Sequence, residues 1–146
     1  MKFKGSIDIN QPRKKVVELF ADSKNLKEYQ DGFHKKELMS GNEGEDGAVS
    51  KMLYKDGKRE LELIETITAN RLPDSFEASY HHKHMDNTMK CNFVALNDNQ
   101  TRYEYEFEYT RINWFMPKLM GILFPGVYRK QGEKWMKQFK EFAERQ

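Results

Sequence analysis

Thr101-Arg102-Tyr103-Glu104-Tyr105-Glu106-Phe107-Glu108-Tyr109-Thr110 alternates ring and charge along its whole length. A strand turns successive side chains to opposite faces, so one face here is aromatic and the other charged. That pattern belongs to an antiparallel sheet with one covered side and one wet side. The cover follows in the chain, because Trp114 to Phe142 is apolar at helical spacing. Within it Tyr128, Gly132, Trp135, Phe139 and Phe142 recur every three or four residues, one buried stripe. Tyr103, Tyr105 and Tyr109 carry phenols on the covered face, which predicts a space between sheet and helix with hydroxyls pointing into it.

The strands leading to this one read as consecutive hairpins. Phe3, Ile7 and Ile9 alternate with polar residues in a first strand. Asn10 is the expected N-cap of a helix carrying Val16, Val17, Leu19 and Phe20, and Ser23 that of a short helix through Leu26 and Tyr29. His34 to Met39 alternates weakly and predicts a short strand; Gly41 to Gly47 predicts a loop. Asp56-Gly57 is a two-residue turn signal between Val49–Lys55 and Lys58–Thr68. Turns at Asn70 to Asp74, Asp86-Asn87 and Asn97 to Asn99 then set off Phe76–His82, Thr88–Leu96 and Thr101–Thr110. Pro125-Gly126 predicts a break in the last helix. Gly132 within the stripe predicts a close approach to the helix backbone by a strand side chain or a ligand.

The 146 residues predict one domain, 1–146, large enough for a core without disulfides or metals. Only 38% of the chain is hydrophobic, yet it holds 10 Phe, 7 Tyr, 2 Trp and 8 Met, so large adaptable side chains must fill the interior. Lys and Arg number 25 against 23 Asp and Glu, without the basic clustering of a nucleic-acid footprint. One Cys precludes an internal disulfide and fits a reducing compartment. With neither a signal-peptide pattern nor an apolar span long enough to cross a bilayer, the expectation is a cytoplasmic protein without integral membrane association.

Turn positions set register and register sets neighbours. Asp56-Gly57 as the turn pairs Lys55 with Lys58, Met52 with Leu61 and Ser50 with Leu63. Apolar parity then pairs Glu65 with Ala78, Leu63 with Tyr80 and Leu61 with His82. The next hairpins pair His82 with Met89 and Tyr80 with Cys91, then Cys91 with Phe107, Met89 with Tyr109 and Phe93 with Tyr105. The expected lining is therefore Met52, Leu61, Leu63, Glu65, Tyr80, His82, Met89, Cys91, Phe93, Tyr105, Phe107 and Tyr109. The last helical segment adds Met120, Phe124, Tyr128 and Trp135. An apolar surface with a few polar tips is the usual composition of a small-molecule site. Glu65 is the odd member, since a carboxylate on an apolar face must pair, stay wet or take up a proton.

His81, His82, His84 and Cys91 invite a metal reading, but His81 points away from the other two and no further ligand is evident. No metal and no cofactor is expected. Glu65, Tyr80, His82 and Tyr105 compose an acid–base set, with Glu65 and His82 the catalytic candidates. Cys91 reads as an inert buried thiol. Asp31 to Lys36 and the Gly41–Gly47 loop are expected near a cavity mouth.

The chain resembles the START/Bet v 1-like superfamily (SRPBCC), in particular its polyketide cyclase/dehydrase and lipid-transport branch. The resemblance runs through the order of elements. Its local echoes are Pro12-x-x-x-Val16-x-x-x-Phe20, Glu65-x-Ile67 ahead of Leu72-Pro73, and Phe124-Pro125-Gly126, with Tyr29 where relatives often carry Trp. It implies an α+β helix-grip fold: a curved seven-stranded antiparallel sheet around a long C-terminal helix, with two short helices after the first strand. It also implies binding of a hydrophobic or aromatic small molecule or lipid. Two alternatives stay open, a cyclase/dehydrase-like enzyme and a co-chaperone-like interaction module with a filled interior. A homo-oligomer is compatible with all three.

Overall fold

The computed structural model describes residues 1–113 and 126–146. Strand β1 (Lys2–Ile9) leads into helix α1 (Arg13–Ala21), a 3-10 turn (Ser23–Asn25) and the single-turn helix α2 (Leu26–Tyr29). Six strands follow: β2 (Phe33–Ser40), β3 (Val49–Asp56), β4 (Arg59–Arg71), β5 (Ser75–His82), β6 (Met85–Asn97) and β7 (Gln100–Ile112). Helix α3 (Gly126–Glu144) closes the chain. All seven strands form one antiparallel sheet in the order β1-β7-β6-β5-β4-β3-β2. Sheet and C-terminal helix make the helix-grip arrangement expected from the sequence. The expected break at Pro125 and the side chains of Met120, Phe124 and Tyr128 lie outside the described residues.

Both expected caps are displaced. Pro12 precedes α1 without a side-chain cap, while the Asn10 N–H donates to Glu144 Oε2 at 2.7 Å, tying the first loop to the end of α3. Asp22, rather than Ser23, caps the 3-10 turn through the Lys24 N–H. The weak alternation of β2 also has a cause. It is an edge strand whose register against β3 shifts between Phe33 and Lys35 and between Leu38 and Ser40. Each irregularity resets which side chains point inward.

The hairpins are displaced from their expected register, always by an even number of residues. Asp56 pairs with Arg59, so the first loop is Gly57-Lys58, with Gly57 at φ +61°. His82 pairs with Met85, so the turn falls at Lys83-His84 and Asp86 and Asn87 belong to β6. Asp86 serves the outer face, taking Arg111 Nε at 2.8 Å and His81 Nδ1 at 2.6 Å. An even slip keeps every side chain on its face and changes only its neighbours. The inward rows thus become Phe3–Phe107–Met89–Ala78–Ile67 and Gly5–Tyr105–Cys91–Phe76. A third row is Ser50–Glu65–Tyr80–Asn87–Tyr109.

The core sits toward one end of the sheet, under the later turns of α3. Phe20 of α1 meets Phe93 at 5.1 Å, Phe76 at 5.4 Å and Phe139 at 6.3 Å between ring centroids. Tyr29 packs on Phe139 at 4.9 Å, and Phe93 stacks on Tyr103 at 4.9 Å. Burying large rings contributes about 1.5–3 kcal/mol each, so this cluster anchors α1, α2 and α3 to the sheet together. Toward the start of α3 the filling thins and a cavity opens.

Candidate functional site: a cavity between sheet and helix

The space between sheet and α3 is a cavity of about 1200 Å³. Met52, Leu61, Leu63, Ile67, Met89 and Phe107 supply its apolar wall, and Gln131, Gly132, Trp135 and Met136 the helical side. Tyr80, Tyr103, Tyr109, His82 and Asn87 bring polar tips. Asp31, Gly32, Lys36, Glu43 and Gly44 line it as well, which places both expected loop segments at the cavity.

Three residues expected in the lining lie elsewhere. Cys91 and Phe93 are buried in the packed core, 1% and 2% exposed, beyond the cavity floor. Register explains this: Cys91 stands opposite Phe76 and Tyr105, and Phe93 opposite Tyr103, under the α1 cluster. Burial pushes the Cys91 thiol up to about 12, which suits an inert group. Tyr105 lies over β1, its ring occupying the space a Cβ on Gly5 would need. Gly5 in the first strand is the sequence signal for that close approach. The Tyr105 phenol is pushed up by burial first and then by Glu133 of α3.

Glu65 is the polar centre of the cavity. It is 5% exposed, and β5 brings Tyr80 directly opposite, so the Tyr80 hydroxyl donates to Glu65 Oε2 at 2.9 Å. Lys36 of β2, opposite Met52, reaches Oε1 at 2.9 Å with a side chain 20% exposed. A carboxylate between an ammonium and a phenol satisfies the need to pair that its place on an apolar face creates. Burial, then the neighbouring Glu65 charge, raises the Tyr80 phenol well above the ordinary tyrosine range. Tyr80 is therefore a donor that keeps its proton.

A second group lies along β3 and α3. The Tyr54 hydroxyl donates to Gln30 Oε1 at 2.7 Å, and its ring stacks on Trp135 at 5.9 Å with planes 13° apart. Burial and then Glu65 raise the Tyr54 phenol. Tyr29 is raised by burial, with Cys91 and Glu65 adding less. At the β5–β6 turn the His84 N–H donates to His82 Nδ1 at 3.2 Å, and the rings stand 5.4 Å apart. Burial, and then His84, lowers the pKa of His82. The described residues contain no group of three metal-ligating side chains suited to an ion.

Sequence reasoning missed Lys36, Tyr54, Asn87 and His84. Tyr54 was within reach, since it shares the parity of Met52. Asn87 was hidden by its assignment to a turn, and Lys36 by the bulges of β2.

No family model matches the chain, and neither does any curated protein. Solved structures do match in fold. The chain is similar to the Zhui aromatase/cyclase from Streptomyces sp. R1128, at TM-score 0.80 and 10% identity over 99% of this chain and 94% of that one. It is similar to a START superfamily protein from Mycobacterium smegmatis, at TM-score 0.80 and 9% identity over 99% and 97%. Norcoclaurine synthase from Thalictrum flavum follows at TM-score 0.69 and 12% identity over 98% and 86%. At these identities the likeness shows the fold: this chain has the helix-grip architecture of START and Bet v 1-like proteins.

Proposed function

We propose that this protein binds a hydrophobic or aromatic small molecule, or a lipid, in the cavity between the sheet and α3. The observation that carries this reading is a space of about 1200 Å³ with a mainly apolar wall and one buried polar centre at Glu65. Small-molecule sites commonly occupy roughly 300–1,000 Å³, with a few fixed polar groups setting orientation. Among the solved structures with this fold are an aromatase/cyclase and a START superfamily protein, which makes an apolar ligand the natural expectation. Among the described residues no helix is long and apolar enough to cross a membrane.

Native mass spectrometry of gently purified protein, with thermal shifts against lipid and aromatic panels, tests the proposal. A bound apolar mass or a raised Tm supports it, and Leu63→Trp, which fills the cavity, abolishes either effect. A midpoint unmoved by every panel overturns it. The interaction-module alternative requires a filled interior and finds no support in an open cavity.

One observation favours a second reading, an enzyme of the cyclase or dehydrase type. Glu65 is a buried proton acceptor and Tyr80 a proton donor, already joined at 2.9 Å. Such pairs are the parts of general acid–base chemistry. Glu65→Gln separates the two readings: a carrier keeps binding and shows no turnover to lose, whereas an enzyme keeps binding and loses turnover.

A further inference from the structure

We infer that the molecule held in this cavity presents a hydrogen-bond acceptor, a carbonyl or ether oxygen on an otherwise apolar frame, to the indole N–H of Trp135. The inference rests on the binding reading above and names the chemistry of its ligand. Trp135 lines the cavity from α3, and stacking on Tyr54 fixes the plane of its ring. Its Nε1 is nevertheless buried with no hydrogen-bond partner among the described residues. Native structures satisfy nearly all such groups, and each exception asks for an explanation. An indole N–H only donates, so what completes it must accept.

The acceptors close by are already engaged. Gln30 Oε1 takes the Tyr54 hydroxyl, and the Glu65 carboxylate takes Lys36 and Tyr80. Two other buried atoms lack partners but define the ligand less well. Gln138 Oε1 is not part of the cavity wall. His84 Nδ1 is, yet an imidazole nitrogen donates or accepts according to its tautomer. Trp135 alone states which sign of group the guest must bring.

Fluorenone and fluorene form the test pair: rigid three-ring frames of nearly one shape, differing by a carbonyl against a methylene. A pocket acting through apolar area alone favours fluorene. Recognition by Trp135 reverses the order, with fluorenone bound about five- to tenfold more tightly by the native protein. Trp135→Phe keeps a ring on Tyr54, removes the donor and abolishes the preference. Without any variant, the Trp135 indole peak in a proton–nitrogen correlation spectrum moves downfield with fluorenone and stays in place with fluorene. Equal affinities, or a preference that Trp135→Phe retains, overturn the inference and leave the cavity reading standing. If neither compound binds the native protein and no panel lipid does, both fall together.

Discussion

Lys36 and Glu65, on strands separated by β3, meet across the cavity floor at 2.9 Å, although neither strand's own pattern announces the pair. Removing one partner of a buried pair leaves an uncompensated charge, at about 3–5 kcal/mol when the site is dry. Lys36 keeps some solvent contact, so Lys36→Met is expected to destabilise by about 2–4 kcal/mol. Glu65→Gln retains an acceptor for the Tyr80 hydroxyl and leaves no buried charge, so its effect is smaller, below about 2 kcal/mol. Urea unfolding of both variants and of the double mutant measures the difference. A Lys36→Met midpoint equal to that of the native protein would mean that Glu65 finds its compensation elsewhere.

The β5–β6 turn should respond to mild acid. The fold favours neutral His82, because its Nδ1 accepts the His84 N–H and because burial, His84, Lys83, His81 and Arg111 all disfavour a proton there. Asp86 lies beside Arg111 and His81 and offsets part of their charge. A histidine whose folded pKa is depressed stabilises in full above its unfolded value, near 6.5, and the stabilisation is lost as pH falls through the lower folded value. Stability should therefore decline as the pH drops from 7.5 towards 5. His82→Asn, whose amide oxygen can accept the same N–H without titrating, should flatten that decline. Unfolding free energies at several pH values decide it, and identical slopes in the two proteins would rule His82 out as the cause.

Much of this architecture was legible because a period-two pattern survives even slips. Ring–charge alternation from Tyr103 to Tyr109 places β7 inward whichever residue stands opposite, and Tyr80, Met89 and Phe107 keep the expected face. Neighbours were not legible. Displacement of the turns to Gly57-Lys58 and Lys83-His84 moved Tyr80 from Cys91 to Asn87, and the β4–β5 slip moved it from Leu63 to Glu65. The polar centre could therefore not be assembled from pattern alone. Lys36 was invisible for a different reason: two register shifts in an edge strand erase the alternation that would have shown its face.

Cys91 sits under the Phe20 cluster at 1% exposure, with its thiol pushed up to about 12 by burial. Reaction requires the thiolate and access, and the folded protein supplies neither at pH 8. An aromatic disulfide reagent should label it slowly in native buffer, at a rate that follows unfolding and rises with urea. Prompt labelling of the folded protein would place this thiol at an accessible surface and contradict the packing of Cys91 opposite Phe76.

Gly132 answers the question its place in the buried stripe raised. A Cβ built there would stand 3.3 Å from Cε2 and 3.5 Å from Cδ2 of Phe107, so a strand ring lies against the helix backbone. Two effects oppose each other in Gly132→Ala. Helix propensity gains about 1 kcal/mol, while the new methyl presses the ring by a few tenths of an ångström. Phe107 also borders the cavity, and open space on its far side lets the ring yield. The expected net is a small stabilisation, below about 1 kcal/mol, together with weaker ligand binding because the ring moves inward. Gly132→Leu exceeds what that shift can absorb and should destabilise by about 1–3 kcal/mol. Thermal melts of both variants, with and without a bound ligand, check the two signs. A destabilised alanine variant would show that Phe107 is held too firmly to move and that the cavity does not extend behind it.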